Sequence, residues 1–306
     1  MSRPTDGAVT ADGTAAEARL WLRPASPRHA ALLTVDVEDW YHVNYQSWHA
    51  PAGSPGPVRV DVNTRRILEL CAARGIRGTF FVLGCVARAH PDLIRAIAGA
   101  GHEVGCHSLE HDLVYREKSP ADFRRRVSEA RALLEDAGGQ PVLGFRAPSW
   151  SITRKSLWAL DELLAAGFRY DASLFPFENY MYGLREAPAS PGWITTPGGG
   201  EIFEVPAPAV RIGPLRIPHG GGFYLRILPY WAERLAIGHH RRRAEPTMLY
   251  VHPREVDDLE IPMPLALGER LIQNARVRAG RAKLRKLLAE VTWSPIREVY
   301  GAEIGA

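Results

Sequence analysis

The sequence predicts an α/β fold made of parallel βαβ units, arranged as a barrel or a doubly wound sheet. Three observations predict it. Short apolar runs read as buried strands, amphipathic stretches with helix start and stop signals separate them, and polar residues gather just after the runs. A chain of 306 residues can build one large α/β domain or two ordinary ones, with ample material for a core.

The elements follow in order. Residues 30–37 form an apolar run that stops at a charged cluster, and a Pro/Gly-rich loop covers 51–57. The pattern predicts a helix over 62–74, stopped by Gly75, and a buried strand over 79–83. His90-Pro91-Asp92 opens a helix whose Leu93, Ile94, Ile97 and Ala98 make an apolar stripe, ended by Gly99 and Gly101. Ser119-Pro120-Ala121-Asp122 supplies an N-cap, a first-turn proline and a first-turn acid for a helix running to Gly138-Gly139. A strand over 142–145 ends at Arg146-Ala147-Pro148. Thr153 caps a helix to about residue 166, and 168–170 returns as a strand. Residues 174–222, rich in Gly and Pro, read as a long substrate-facing insertion or a small subdomain, with a strand-like piece at Ile202-Phe203-Glu204-Val205. Beyond it the sequence predicts a helix over 228–243, a strand over 248–251 and one terminal helix over 270–290. No internal repeat is present.

Composition narrows the function classes. The chain carries 38 basic and 34 acidic residues for a net charge of +4, and no aromatic platform interleaves with Arg124-Arg125-Arg126 or Arg241-Arg242-Arg243. These clusters read as solvated helix faces rather than a nucleic-acid surface. No run approaches the ~18 apolar residues of a membrane span. Residues 1–27 are rich in Ala, Gly, Thr and Pro without an apolar stretch of signal-peptide length, and read as a disordered leader. Cys71, Cys85 and Cys106 are odd in number and lie in apolar segments, as reduced core thiols do. Together these features point to the cytoplasm, with the inner face of the membrane as a place of association. Nothing in the sequence sets an oligomeric state.

The chemistry sits at the strand ends. His107 and His111 are four residues apart, so one helical turn would aim both rings at a single point, where a third ligand completes a zinc-like site with a position open for water. In Asp36-Val37-Glu38-Asp39, the two-residue period of a strand sends Asp36 and Glu38 to the same side. Paired carboxylates can divide roles between ligand and base. Arg146 can hold a carboxylate through its planar fork, and His252 follows the apolar run at 248–251. In parallel α/β folds that end of the strands is where sites are built.

The order carboxylates, His-x-x-x-His, Arg-x-Pro, Asp, His resembles the polysaccharide deacetylase family, the NodB-homology carbohydrate esterases, over about residues 32–253. The segments Asp-Val-Glu-Asp-Trp-Tyr-His-Val (36–43), Thr-Phe-Phe-Val-Leu-Gly (79–84), Phe-Arg-Ala-Pro-Ser-Trp-Ser-Ile-Thr (145–153), Tyr-Asp-Ala-Ser-Leu-Phe-Pro (170–176), Gly-Gly-Gly-Phe-Tyr (220–224) and Tyr-Val-His-Pro-Arg-Glu (250–255) look like the branch associated with exopolysaccharide loci, with its conserved C-terminal region. The resemblance implies a distorted (β/α) barrel of about seven strands. Around it come the Gly/Pro-rich insertion and a C-terminal helical extension: a catalytic domain over 28–260 and the extension, packed on it, over 261–306.

The resemblance also implies one divalent ion, zinc in the first instance, and a role for each residue. Asp36 matches the general base, His107 and His111 the metal histidines, Arg146 the arginine orienting the base, and His252 the general acid. Asp171 falls where the family places a carboxylate supporting that histidine. Val37 stands where many members have a second, metal-binding aspartate, so the acidic ligand is Glu38, favoured by strand geometry, or Asp39 as the alternative. Trp40, Tyr41, Trp150 and Tyr250 are candidates for stacking on sugar rings, each with core packing as the competing reading. The implied activity is removal of N-acetyl groups from hexosamine units of an exopolysaccharide or its lipid-linked precursor. The alternatives are a C–N hydrolase or ester deacetylase on a smaller substrate, and a non-catalytic carbohydrate-binding relative.

Overall fold

The structure is a computed structural model that describes residues 22–48, 55–179, 182–213, 215–259 and 262–306. Its strands are β1 (Leu22–Pro24), β2 (Ala31–Val37), β3 (Thr79–Val82), β4 (Glu103–Cys106), β5 (Gly144–Phe145), β6 (Tyr170–Asp171), β7 (Gly192–Thr195), β8 (Glu201–Glu204), β9 (Ala209–Ile212), β10 (Leu215–Pro218) and β11 (Thr247–Val251). Nine of them make one sheet in the order β1-β7-β8-β6-β5-β4-β3-β2-β11. The seven from β8 to β11 run parallel, and β7 and β1 complete the far edge antiparallel. Among the described residues the ladder does not close, since β1 and β11 remain its two edges.

Every residue of β2, β3, β4 and β11 is buried, because helices cover one face and a second core fills the other. Leu33, Val35, Phe80, Val104 and Leu249 pack against the helices Val60–Ala72, Pro91–Gly99, Pro120–Gly138 and Ala159–Ala165. On the opposite face Leu32, Phe81, Tyr170, Phe203 and Met248 meet Ile296, Tyr300 and Ile304 of the helix Ile296–Ile304. The strand alternation therefore sends successive side chains into two different cores.

Local signals set the helix ends. Ser119 accepts the Asp122 backbone N–H, Pro120 takes the first turn, and Gly139 at φ +63° closes the helix in the left-handed conformation. Elsewhere tertiary contacts override the pattern. The helix predicted from Thr153 is a short turn at Arg154–Ser156 followed by Ala159–Ala165. The single terminal helix is two, Leu267–Asn274 and Val277–Glu290, broken where Arg276 adopts φ +48°. The Gln273 carbonyl, which a continuous helix would use, accepts two arginine side chains instead, and the Ile272 carbonyl accepts Arg226 Nη2 beside the Ala275 N–H.

The Gly/Pro-rich stretch is not an insertion beside the domain. It carries β7 and β8, and β8 pairs parallel to β6, so the main sheet needs it; its glycines and prolines serve the turns between short strands. Of the predicted leader, residues 1–21 lie outside the described residues. Its last part is strand β1, recruited by the open edge of β7.

Candidate metal centre and active site

Parallel strands bring their C-terminal ends to one edge of the sheet. Register aligns Asp36 with Phe81, Cys106 with Phe145, Phe145 with Asp171, and Asp171 with Glu204. Glu38, His107, Arg146 and His252 therefore follow their strands onto the same rim.

His107 and His111 converge without a helical turn. Ser108 and His111 hold positive φ of 74° and 65°, and the carbonyls of Ser108 and Leu109 accept the Gly84 and Cys85 N–H groups at 2.9 and 2.8 Å. Those carbonyls cap the helix Gly84–Ala89 from in front, so they are unavailable for a helix of their own. Gly84 allows the approach, since a Cβ there would lie 2.7 Å from Leu109 Cδ1. The predicted helical spacing is thus replaced by a clamped loop that still aims both rings inward.

One Glu38 carboxylate oxygen, Oε2, stands 2.5 Å from His111 Nε2 and 3.6 Å from His107 Nε2. Donor atoms of the three buried side chains all lie within 4.8 Å of one another, the only such group of three or more among the described residues. Their partners suit a ligand set. His107 Nδ1 donates to the Arg146 carbonyl at 2.8 Å, which leaves its Nε2 lone pair facing the centre. The Asn44 side-chain amide lies 3.1 Å from His111 Nδ1. Two imidazoles and a carboxylate, buried and held from behind, fit a divalent ion of the zinc type. Burial pushes the Glu38 carboxyl up, but His111, His107 and then His252 outweigh it and hold it well below the usual carboxylate range.

Asp39 is committed elsewhere. Its carboxylate accepts the backbone N–H groups of Trp40 (2.8 Å), Arg59 (2.8 Å) and Val60 (3.1 Å), capping the helix Val60–Ala72. Burial lifts its pKa despite those donors.

Asp36 is buried beside the centre. Its Oδ1 accepts Arg146 Nη1 at 2.8 Å, and its Oδ2 lies 3.9 Å from His252 Nε2. Arg146 is fully buried, bonds Thr34 Oγ1 at 2.8 Å and the Ala172 carbonyl at 3.2 Å, and lies over the rings of Phe81 and Trp150. His252 Nδ1 lies 3.4 Å from Glu255 Oε1. Burial would lower the His252 pKa, but Glu255, Glu38 and Asp36 raise it to about 9, so the ring carries a proton at neutral pH.

The carboxylate beside His252 is Glu255, not Asp171. Asp171 lies on β6, four strands from β2, where its carboxylate accepts the Ser173 hydroxyl at 2.5 Å and is hydrogen-bonded with Glu204. Burial pushes both carboxyls up, Asp171 to about 6. A His-x-x-Glu spacing at 252 and 255 was the available signal for Glu255. Asn44 and His42 carried none, being placed by the loop after β2. His42 is buried, its ring centroid is 6.0 Å from that of His111, and burial lowers its pKa to about 4.

A cleft of about 310 Å³ opens over the centre, lined by Glu38, His111, His252, Trp150, Tyr250 and Tyr224 among others. Trp150 and Tyr250 thus face it. Trp40 lines a neighbouring cavity, and Tyr41 packs between Trp40 and His42.

Residues 40–169 match the family described as polysaccharide deacetylase, and residues 172–301 match a domain of unknown function, so the two regions meet at β6 inside one sheet. A chitooligosaccharide deacetylase of Rhizobium leguminosarum bv. trifolii is 44% identical over 109 residues, 35% of this chain and 47% of that protein. The chain spans less than half the length of the curated relatives it matches. A crystal structure from Mycobacterium smegmatis assigned as a polysaccharide deacetylase superposes with TM-score 0.59 at 21% identity, covering 93% of this chain and 95% of that one. An allantoinase superposes with TM-score 0.55 at 21% identity, covering 90% of each. Likeness at that identity concerns the fold.

Proposed function

We propose that this chain, which joins a polysaccharide deacetylase domain at residues 40–169 to the C-terminal region at 172–301, hydrolyses N-acetyl groups of hexosamine units in an exopolysaccharide or its precursor. One observation carries the reading: Glu38, His107 and His111 converge beside an Asp36 that reaches toward His252. The three side chains would hold one divalent ion, zinc in the first instance. The chemistry supplied by such an ion is polarisation of an amide carbonyl and acidification of a water.

The chain's own groups do the proton work. Asp36 keeps Oδ2 for the proton of the attacking water, while Arg146 on Oδ1 fixes the carboxylate. His252, protonated and held by Glu255, gives its Nε2 proton to the departing nitrogen. Trp150 and Tyr250 form an aromatic wall of the cleft that would present ring faces and edges to a sugar. The site draws on both matched regions, since Tyr250, His252 and Glu255 come from the second. Three unpaired cysteines support placement in the reducing cytoplasm, and no helix among the described residues is long and apolar enough to cross a membrane.

Acetate release from N-acetylated oligosaccharides, with and without a chelator, tests the reading. Chelator-sensitive release is expected. Release from small cyclic amides or O-acetyl esters alone would assign another substrate, and binding without release would leave a carbohydrate-binding protein.

A further inference from the structure

Arg226 and Arg254 stand on the wall of the same cleft as Glu38, His111 and His252. Their protein acceptors are backbone carbonyls. Arg226 Nη1 and Nη2 donate to Gln273 O at 2.9 Å and Ile272 O at 3.2 Å, and Arg254 Nη2 donates to the same Gln273 O at 2.9 Å. Neither makes an ion pair with a carboxylate among the described residues, and Arg226 Nε is buried without an acceptor. Glu255 and Glu38 act on Arg254 only at longer range.

Two cations sharing one carbonyl repel each other, and carbonyl dipoles neutralise no charge. The fold nevertheless holds the pair in place. Arg226 is buried, and its stem passes Gly280, where a Cβ would lie 2.6 Å from Arg226 Cγ. The helix end carrying the shared carbonyl is fixed by Tyr45, whose hydroxyl donates to Gln273 Oε1 at 3.0 Å. Capping that helix needs one arginine; the second charge has no carboxylate partner among the described residues.

We propose that Arg226 and Arg254 form an anion subsite of the cleft, which takes an oxyanion group carried by the substrate beside its N-acetylated sugar. This rests on the deacetylase reading. The shared chemistry is a planar or tetrahedral oxyanion gripped by guanidinium forks, supplied by a uronate carboxylate or by a sugar phosphate.

Calorimetry on the full chain separates the sources. The probes are an N-acetylglucosaminyl-glucuronate disaccharide, its neutral methyl ester, and N-acetylglucosamine 1-phosphate. At least one anionic probe is expected to bind about tenfold or more tightly than the ester, the gain of a charge-assisted contact, and the preferred one names the source. Arg254→Gln should collapse that preference, and Arg254→Lys should restore part of it. A merely structural cap would weaken folding without changing the ratio between probes. Equal affinity for ester and anions, undetectable binding of both anions, or a preference untouched in Arg254→Gln would overturn the subsite. Acetate release measured alongside keeps the two claims apart. Anion preference without release strikes the deacetylase reading, and release without anion preference strikes the subsite alone.

Discussion

Asp36 offers its two carboxylate oxygens to different partners: Oδ1 accepts Arg146 Nη1 at 2.8 Å, while Oδ2 points toward His252 Nε2 at 3.9 Å. One oxygen is fixed and the other is left for proton transfer. Because Arg146 also receives the His107 Nδ1–H on its carbonyl, one residue sets the base through its side chain and a ligand through its backbone.

Replacing the arginine separates these jobs. Arg146→Lys keeps the charge and the backbone carbonyl but loses the fork, so turnover should fall about a hundredfold through misplacement of Asp36. Metal content should persist, since the carbonyl on His107 remains. Arg146→Met should cost about 3–5 kcal/mol of stability, because Asp36 is left buried and unpaired. Chemical denaturation and metal analysis check both; a metal-free Arg146→Lys protein would contradict the division.

The acidic ligand can be settled by stoichiometry. Glu38→Gln should lower bound metal well below one per chain. Asp39→Asn should retain metal but lose about 1 kcal/mol from the cap on Val60–Ala72. The reverse pattern would make Asp39 the ligand.

His111 depends on Asn44. Asn44 Nδ2 lies 3.1 Å from His111 Nδ1; a histidine binding through Nε2 carries its proton on Nδ1, so metal binding would require the amide to turn over and present its oxygen there. Asn44→Ala should weaken metal affinity about 10–100-fold. Turnover should recover at saturating metal, and failure to recover would give Asn44 a second role.

Burial works to lower the His252 pKa, but Glu255, Glu38 and Asp36 push it up to about 9. A folded-state pKa above the unfolded value means that its stabilising contribution is complete below about 6.5 and is lost as pH rises through about 9. Glu255→Gln should bring the ring's pKa down toward 6.5, and a bound cation should lower it too. NMR titration of the ring reads the value directly; a wild-type value near 6.5 would refute the assigned partners.

His102 shows the opposite sign. Burial first, then Arg77, lowers its pKa to about 4, so the folded protein keeps it neutral. Its contribution is complete above about 6.5 and is lost as pH falls toward 4. His102→Gln should flatten the loss of stability across that window, measured by denaturant unfolding at several pH values. An unchanged slope would mean that His102 is not buried as a neutral ring.

By itself the sequence determined the buried strands, the capped helix after Ser119, the two histidines and the rim on which polar groups collect. Those features are local, since a run of apolar residues or a Ser-Pro-x-Asp start is written in consecutive positions. Only the tertiary structure decided which acid meets the histidines, because Asp39 is claimed by backbone N–H groups at residues 59 and 60. It likewise sent Asp171 to Glu204 and turned Trp150 and Tyr250 rather than Trp40 toward the cleft. Each of those outcomes depends on which strand or loop lies alongside and on which hydrogen-bonding groups are already taken. Neighbours across a sheet are separated by tens of residues along the chain, so no local pattern records them.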